Sequence, residues 1–168
     1  AILKIYPTNS QLVDDWKSAQ HDGTVLKELQ DGQFLRLYHF GQTENVTFSL
    51  FEYVQGQSLK DLLTQGALPL ETTFDIGLKI LRTLQTLHQN NLLHRNIKPS
   101  NVILNTDLSP SRISLIDPDF IRTSIVEESH QSSQLLIDDR IHYSAPEQLG
   151  VLDSPIDERS DLYELGIL

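Results

Sequence analysis

The sequence predicts an α+β fold, with a small β-rich portion over residues 1–54 and a larger, mainly helical portion over residues 55–168. Two observations lead to this prediction. Alternating, aromatic-rich runs, which are typical of half-buried strands, dominate the first portion. A long run of apolar residues at helical spacing opens the second portion, and only short apolar runs follow it. We expect a cleft where the two portions meet.

The β-rich portion contains three predicted strands and one helix. Residues 2–6 form a short β-prone run, and apolar residues at helical spacing predict a helix over residues 10–30. Residues 34–40 and 46–54 alternate between apolar and polar side chains. The turn-rich segment between these two runs predicts that they pair as a hairpin.

The helical portion begins with a short helix over residues 59–65, for which Ser58 is the expected N-cap. A long amphipathic helix over residues 70–91 carries the apolar residues Phe74, Ile76, Leu78, Leu81, Leu84 and Leu87. Three further segments complete the prediction: a small hairpin of residues 101–104 and 113–116, a polar loop over residues 123–140, and a helix that begins at Asp161.

Composition argues against several classes of function. The chain of 168 residues has 13 Lys+Arg and 23 Asp+Glu, a net charge of −10 that argues against nucleic-acid binding. No apolar run approaches the ~20 residues of a membrane span. The absence of Cys excludes disulfides and thiolate metal sites and suits the reducing cytoplasm. Because Met is absent even at position 1, we expect the chain to be a segment of a longer protein.

Four short motifs carry the chemistry, and their order along the chain is more informative than any one of them. They are Lys4 in a β-prone run, His-Arg-Asn-Ile-Lys-Pro-Ser-Asn at 94–101, Leu-Ile-Asp-Pro-Asp at 115–119, and Ser-Ala-Pro-Glu at 144–147. A lone Lys in a strand is usually a solvated edge residue, and acids that follow a strand are usually turn residues. In this order, however, the motifs resemble the serine/threonine branch of the protein kinase family over essentially the whole chain.

The resemblance implies a bilobal kinase fold whose cleft binds ATP and Mg²⁺. It places Lys4 on the α- and β-phosphates of ATP and puts the helix carboxylate that pairs with this Lys at Asp22, with Glu28 as the alternative. The segment that links the two lobes would contact adenine. The remaining ATP contacts implied by the resemblance are Phe51 as gatekeeper, Glu52, Val54 and Ile103.

The resemblance also assigns the catalytic loop to residues 94–101, with Asn96 and Lys98 at its catalytic positions. Mg²⁺ would be held by Asn101 and Asp117, which supply the oxygen ligands that this hard cation prefers. Asp161 would brace the backbone of the loop. The implied substrates are serine and threonine hydroxyls of proteins.

Departures from the family pattern lower the expected activity. Asn96 stands where the family has an acid, and an amide cannot take up the substrate proton. General-base assistance is worth about 10²–10⁴-fold, so we expect impaired transfer rather than none. Pro118 and Asp119 replace the Phe and Gly of the family's Asp-Phe-Gly motif.

These departures leave open a pseudokinase that binds nucleotide or a regulatory protein partner and, as a weaker alternative, a small-molecule phosphotransferase. The glycine-rich loop and the later helices of the family have no counterpart in the sequence. We therefore expect a partial kinase domain, truncated at both ends.

Overall fold

A computed structural model of the chain describes residues 1–7, 13–29, 34–43, 46–105, 112–119 and 141–168. The elements are β1 (Ile2–Pro7), α1 (Val13–Glu28), β2 (Leu37–Gln42), β3 (Val46–Phe51), β4 (Gln57–Ser58), α2 (Leu59–Leu63), α3 (Leu70–Gln89), a 3-10 turn (Pro99–Asn101), β5 (Val102–Asn105), β6 (Arg112–Leu115) and α4 (Glu158–Ile167). This order matches the predicted α+β class. The polar loop predicted over residues 123–140 lies outside the described residues.

The first sheet has three antiparallel strands in the order β1-β3-β2. The predicted hairpin is confirmed, because β2 and β3 pair directly. Burial alternates along β3, which places Thr47, Ser49 and Phe51 on its buried side. Helix α1 packs against β2 and contributes the buried Leu26 to the core. Lys4 lies in the edge strand β1, opposite Ser49 of the central strand β3.

The second sheet, in the order β4-β5-β6, contains the second predicted hairpin. Strand β4 was not predicted, because two residues are too few to show an alternating pattern. Ser58 belongs to β4 and is also the N-cap of α2. It pairs with Ile103 of β5, and its Oγ caps α2 by accepting a hydrogen bond from Asp61 N at 3.1 Å, as predicted.

Helix α3 spans Leu70–Gln89, and its apolar residues lie on two faces. Ile76, Ile80, Leu84 and Leu87 are buried in the core. Of the other apolar residues of the predicted amphipathic helix, Phe74, Leu78 and Leu81 are 63 %, 56 % and 41 % exposed. Helical spacing alone cannot tell which of two apolar stripes meets the protein interior.

The helix expected to start at Asp161 begins three residues earlier, at Glu158. Asp157 is the N-cap, since its Oδ1 accepts from Arg159 N at 2.9 Å and its own N donates to Ser160 Oγ at 3.3 Å. The polar first turn gives no apolar periodicity, which explains the difference. None of the helices within the described ranges combines the length and apolar character that a bilayer span requires.

One hydrophobic core extends through both portions of the chain. It includes Phe51 of the first sheet, Val102 and Leu115 of the second sheet, and the buried face of α3. Phe34 forms an isolated parallel bridge with Leu115 and so joins the β-rich portion to the second sheet. This junction positions β1 beside the segment that follows β6, where two of the predicted site residues meet.

Candidate active site

The segment from His94 to Lys98, between α3 and the 3-10 turn, is held through its backbone amides by acceptor side chains. Asp161 Oδ2 accepts from His94 N at 2.9 Å, and Asp161 Oδ1 accepts from Arg95 N at 2.7 Å. Glu164 Oε2 accepts from Ile97 N at 2.7 Å. The brace predicted for Asp161 is therefore present. A second carboxylate on the same helix extends it along the loop.

His94 is a fully buried part of this loop. Burial lowers the pKa of His94 to about 4, against the opposing effects of the Asp161 carboxylate and the Ile116 backbone, and the positive charge of Lys4 lowers it further. The ring is therefore neutral at pH 7, and its Nδ1 accepts a hydrogen bond from Asn96 N at 3.3 Å. An edge-to-face contact with Phe34, with ring centroids 6.2 Å apart, packs it in the core.

Three of the predicted site residues form one hydrogen-bonded cluster. Asn96 Nδ2 donates to Asp117 O at 2.9 Å, and Asn101 Nδ2 donates to Asn96 O at 2.8 Å. Ile116 N donates to Asn101 O at 2.8 Å, which ties the strand before Asp117 to the 3-10 turn. The structure thus brings Asn96, Asn101 and Asp117 together although they are separated along the chain.

Lys4 reaches the same cluster from the first sheet, because its Nζ forms an ion pair with Asp117 Oδ1. Asp117 has a φ of +64°, a left-handed conformation that is uncommon outside glycine and is often found at functional sites. Asp22, the predicted helix partner of Lys4, is half-buried on α1. Its pairing with Lys4, and the alternative through Glu28, stay predictions.

The predicted adenine-binding residues lie along β3, the segment after it, and β5. Phe51 is 2 % exposed at the end of β3, while Val54 and Ile103 are half-buried. Glu52 N donates to Arg36 O at 2.8 Å. The backbone group of Glu52 that could bind adenine is therefore its carbonyl oxygen, which would accept a hydrogen bond. Contact of these residues with adenine stays a prediction.

Lys98, the second predicted catalytic residue, is half-buried at the edge of a cavity of about 290 Å³. The cavity lies between α2 and the segment of residues 98–100, and its polar lining includes Lys60, Thr64, Ser100 and Tyr143.

The chemistry of the cluster fits Mg²⁺. Asn101 is 5 % exposed, and its amide nitrogen is occupied by Asn96 O, so its oxygen end is the one left to ligate a cation. The carboxylate of Asp117 supplies the second hard oxygen donor. Within the described residues, no cluster of three or more His, Cys, Asp or Glu side chains forms a metal cage. A two-ligand site of this kind suits Mg²⁺ that is also bound by substrate phosphates.

Glu164 and Gln148 also bind the backbone of this loop, and neither was predicted from the sequence. Gln148 Nε2 donates to Arg95 O at 3.1 Å, and Gln148 Oε1 accepts from Ala145 N at 2.7 Å. No pattern in the sequence marks Gln148. Glu164 could have been found, because an acid three residues after Asp161 lies on the same helix face among apolar neighbours.

The motif of residues 144–147 is tied to α4 as well. Ser160 Oγ donates to Glu147 Oε1 at 2.5 Å, a contact that gives Glu147 a structural role. His88, in the last turn of α3, lies 2.8 Å from Asp161 Oδ2 through its Nε2. Contacts from three separate segments therefore converge on the start of α4.

The chain matches the protein kinase domain family over residues 1–168. It is 27 % identical over 164 residues to the probable serine/threonine-protein kinase CPE1738 of Clostridium perfringens, a match that covers 97 % of this chain and 22 % of that protein. It is 29 % identical over 143 residues to serine/threonine-protein kinase PrkC of Bacillus subtilis, covering 83 % and 21 %. The chain thus spans about a fifth of the length of these relatives.

Solved kinase structures share the fold. The PknI kinase domain of Mycobacterium tuberculosis superposes with a TM-score of 0.69 at 22 % identity, covering 97 % of this chain and 60 % of that one. Rad53 in complex with AMP-PNP gives a TM-score of 0.67 at 20 % identity, covering 98 % and 38 %. The fold, the clustered motifs and the family match over residues 1–168 agree: the chain belongs to the protein kinase domain family.

Proposed function

We propose that the protein binds Mg-ATP and transfers the γ-phosphoryl group to serine or threonine hydroxyls of proteins, at a rate lowered by Asn96. The observation that carries the proposal is the cluster of Asn96, Asn101 and Asp117, which Lys4 joins from the other sheet. This cluster brings together the positively charged Lys4 and the hard oxygen donors that a phosphoryl-transfer site needs.

Each residue has a separate task in this proposal. Lys4 neutralises charge on the α- and β-phosphates, while Asn101 and Asp117 hold Mg²⁺. Bound Mg²⁺ supplies further neutralisation of the phosphate oxygens. Lys98 provides positive charge near the γ-phosphate. Asn96 orients the attacking hydroxyl, whose proton is left to a phosphoryl oxygen or water because an amide does not accept it.

The comparisons support parts of this proposal. The relatives named above are serine/threonine-protein kinases, and the Rad53 structure contains the ATP analogue AMP-PNP. A protein substrate and a cytoplasmic location, where ATP is available, complete the proposal.

The test is phosphoryl transfer by the full-length protein, with Asn96→Asp as the informative variant. We expect slow transfer from labelled ATP to a serine/threonine protein substrate, and a rise of about 10²–10⁴-fold in kcat when the carboxylate is supplied. Asn105→Asp is the matched control. Asn105 lies at the end of β5 and donates to Gln55 O at 2.9 Å, so its replacement should leave kcat unchanged. No transfer by either the unmutated protein or Asn96→Asp would contradict the proposal.

A pseudokinase is the second candidate, and one contact favours it. The Asn96 amide donates to Asp117 O, so Asn96 supports the loop in a way that a carboxylate could not. In that case nucleotide or a protein partner binds without transfer. Clear turnover by the unmutated protein would exclude this candidate.

A further inference from the structure

We propose that Glu164 is a positioning residue for the catalytic loop: its buried carboxylate holds Ile97 N and thereby sets the places of Asn96 and Lys98. The inference rests on the proposed function for its effect on phosphoryl transfer. Its effect on the loop itself can be measured without turnover.

The placement of Glu164 is unusual for a carboxylate. The side chain is 1 % exposed, and its Oε2 lies 2.7 Å from Ile97 N. Removing a carboxylate from water is costly unless donors compensate for the lost hydration. A charge-assisted hydrogen bond of this length is such a compensation, and Ile97, at 0 % exposure, is equally shielded from water.

The hydrogen bonds of the loop show what Glu164 adds to Asp161. Asp161 holds the amides of His94 and Arg95, whereas the amide of Asn96 is bound by the His94 ring. Ile97 N, which follows these three, is held by Glu164. Because Ile97 lies between Asn96 and Lys98, its position determines where both of these side chains begin.

The two carboxylates also act from one rigid base. Asp161 and Glu164 are three residues apart in α4, so they lie on the same helix face, and both are buried. Together they tie opposite ends of the segment from His94 to Ile97 to a single helix. Loss of Glu164 would remove the hydrogen bond that ties Ile97 N to α4.

The variants Glu164→Ala and Glu164→Gln test this inference in the full-length protein. Glu164→Gln keeps the side-chain shape and an acceptor oxygen but removes the charge. The control is Glu158→Gln, because Glu158 is an exposed carboxylate in the first turn of the same helix. The first readout is hydrogen–deuterium exchange of the peptide that contains residues 94–101. We expect exchange about 10- to 100-fold faster in Glu164→Ala, a smaller increase in Glu164→Gln, and no change in Glu158→Gln.

The second readout separates positioning from general stability. A misplacement of about 1 Å in a catalytic group can cost about 100-fold in rate. We therefore expect kcat to fall by about 10- to 100-fold in Glu164→Ala and by less in Glu164→Gln. KM for ATP should change by less than about threefold, because Lys4 and Asp117 are not touched. A role in stability alone would lower the melting temperature and leave the kcat of the folded enzyme unchanged.

Unchanged loop exchange in folded Glu164→Gln and Glu164→Ala would overturn the inference, as would an unchanged kcat in both. If Glu164→Ala does not fold, Glu164→Gln decides alone. If neither the unmutated protein nor Asn96→Asp turns over, the proposed function fails, and exchange of the loop peptide still decides whether Glu164 positions the loop.

Discussion

At the residue scale, the role proposed for Asn96 in phosphoryl transfer opposes the structural role of its side chain. Its side chain stands where the family's proton-accepting acid is found, yet its Nδ2 also donates to Asp117 O at 2.9 Å. A carboxylate in this place would bring an oxygen toward a carbonyl oxygen, with no hydrogen between them. Chemistry and local stability therefore favour different residues at this position.

The first prediction concerns this opposition. We expect Asn96→Asp to lower the free energy of unfolding by about 1–3 kcal/mol while it raises kcat, because it removes a hydrogen bond and leaves an acceptor unpaired. Thermal unfolding at pH 7 measures the loss, with Asn105→Asp as the reference. An unchanged melting temperature would show that the Asn96 bond contributes little to stability.

The second prediction concerns pH and His94. The folded protein holds the pKa of His94 near 4, whereas the ordinary value is 6.5, so the unfolded state binds more protons between these values. Stability from this group is fully present above pH 6.5 and is lost as the pH falls toward 4. The loss is about 3 kcal/mol at its limit.

Urea unfolding between pH 7 and pH 4 tests this expectation. His94→Gln removes the titrating ring, so its unfolding free energy should depend less steeply on pH. His142→Gln, at an exposed histidine, should keep the slope of the unmutated protein. Equal slopes in all three proteins would count against a neutral, buried His94.

At the scale of elements, two glycines differ in the space that is open to the Cβ of an alanine in their place. Gly56, between β3 and β4, has a φ of +152°, and a Cβ there would lie 2.5 Å from Leu104 O and 2.8 Å from Ile103 Cγ2. Gly77 lies within α3, and a Cβ there would have no neighbour within 4 Å among the described residues. The first glycine is required by the contact between the linking segment and β5, and the second is not.

The third prediction follows from this pair. Gly56→Ala should destabilise the domain by at least about 2 kcal/mol, through backbone strain and the clash with Leu104 O. Gly77→Ala should stabilise it by up to about 1 kcal/mol, because Ala is the better helix former. Melting temperatures of the two variants should therefore move in opposite directions. A shift of the same sign in both would contradict the described path of the chain at Gly56.

The elements also show where prediction from sequence ends. Both hairpins, the N-cap at Ser58 and the long helix followed from local pattern and turn chemistry. The buried face of α3 and the start of α4 did not, since the first depends on tertiary packing and the second lies in a polar turn. Local physics determines that these elements form. Tertiary packing and capping determine which face of a helix is buried and at which residue the helix begins.

For the whole molecule, the contacts between the two sheets determine whether a site exists. The bridge between Phe34 and Leu115 and the ion pair between Lys4 and Asp117 connect the β-rich portion to the second sheet. The resemblance predicted one site that contains Lys4, Asn101 and Asp117, but it gave Asp22 as the partner of Lys4, and the ion pair of Lys4 with Asp117 was not predicted. The contact of Glu164 was not predicted: its place three residues after Asp161 marks the residue, but its partner Ile97 lies 67 residues away in sequence.

The fourth prediction uses this connection. Mg-ATP at about 100 times its dissociation constant should stabilise the protein by about 2.7 kcal/mol, measured as a rise in melting temperature. Lys4→Ala should abolish most of the rise, since it removes the cation that meets the phosphates. Lys79→Ala is the control, because Lys79 pairs with Asp75 on α3, 2.7 Å away. A full shift in Lys4→Ala would remove Lys4 from the nucleotide site.

The acceptors around residues 94–97 have a consequence for how such a domain evolves. They bind backbone N–H groups, which every residue except proline possesses, so these hydrogen bonds do not depend on which side chain stands at position 96. A lineage can therefore lose the proton-accepting acid by a single mutation and keep the architecture that surrounds it. Selection on the conformation of this loop is therefore separate from selection on its catalytic chemistry. A change from an enzyme to a binding module, or the reverse, needs no change of fold.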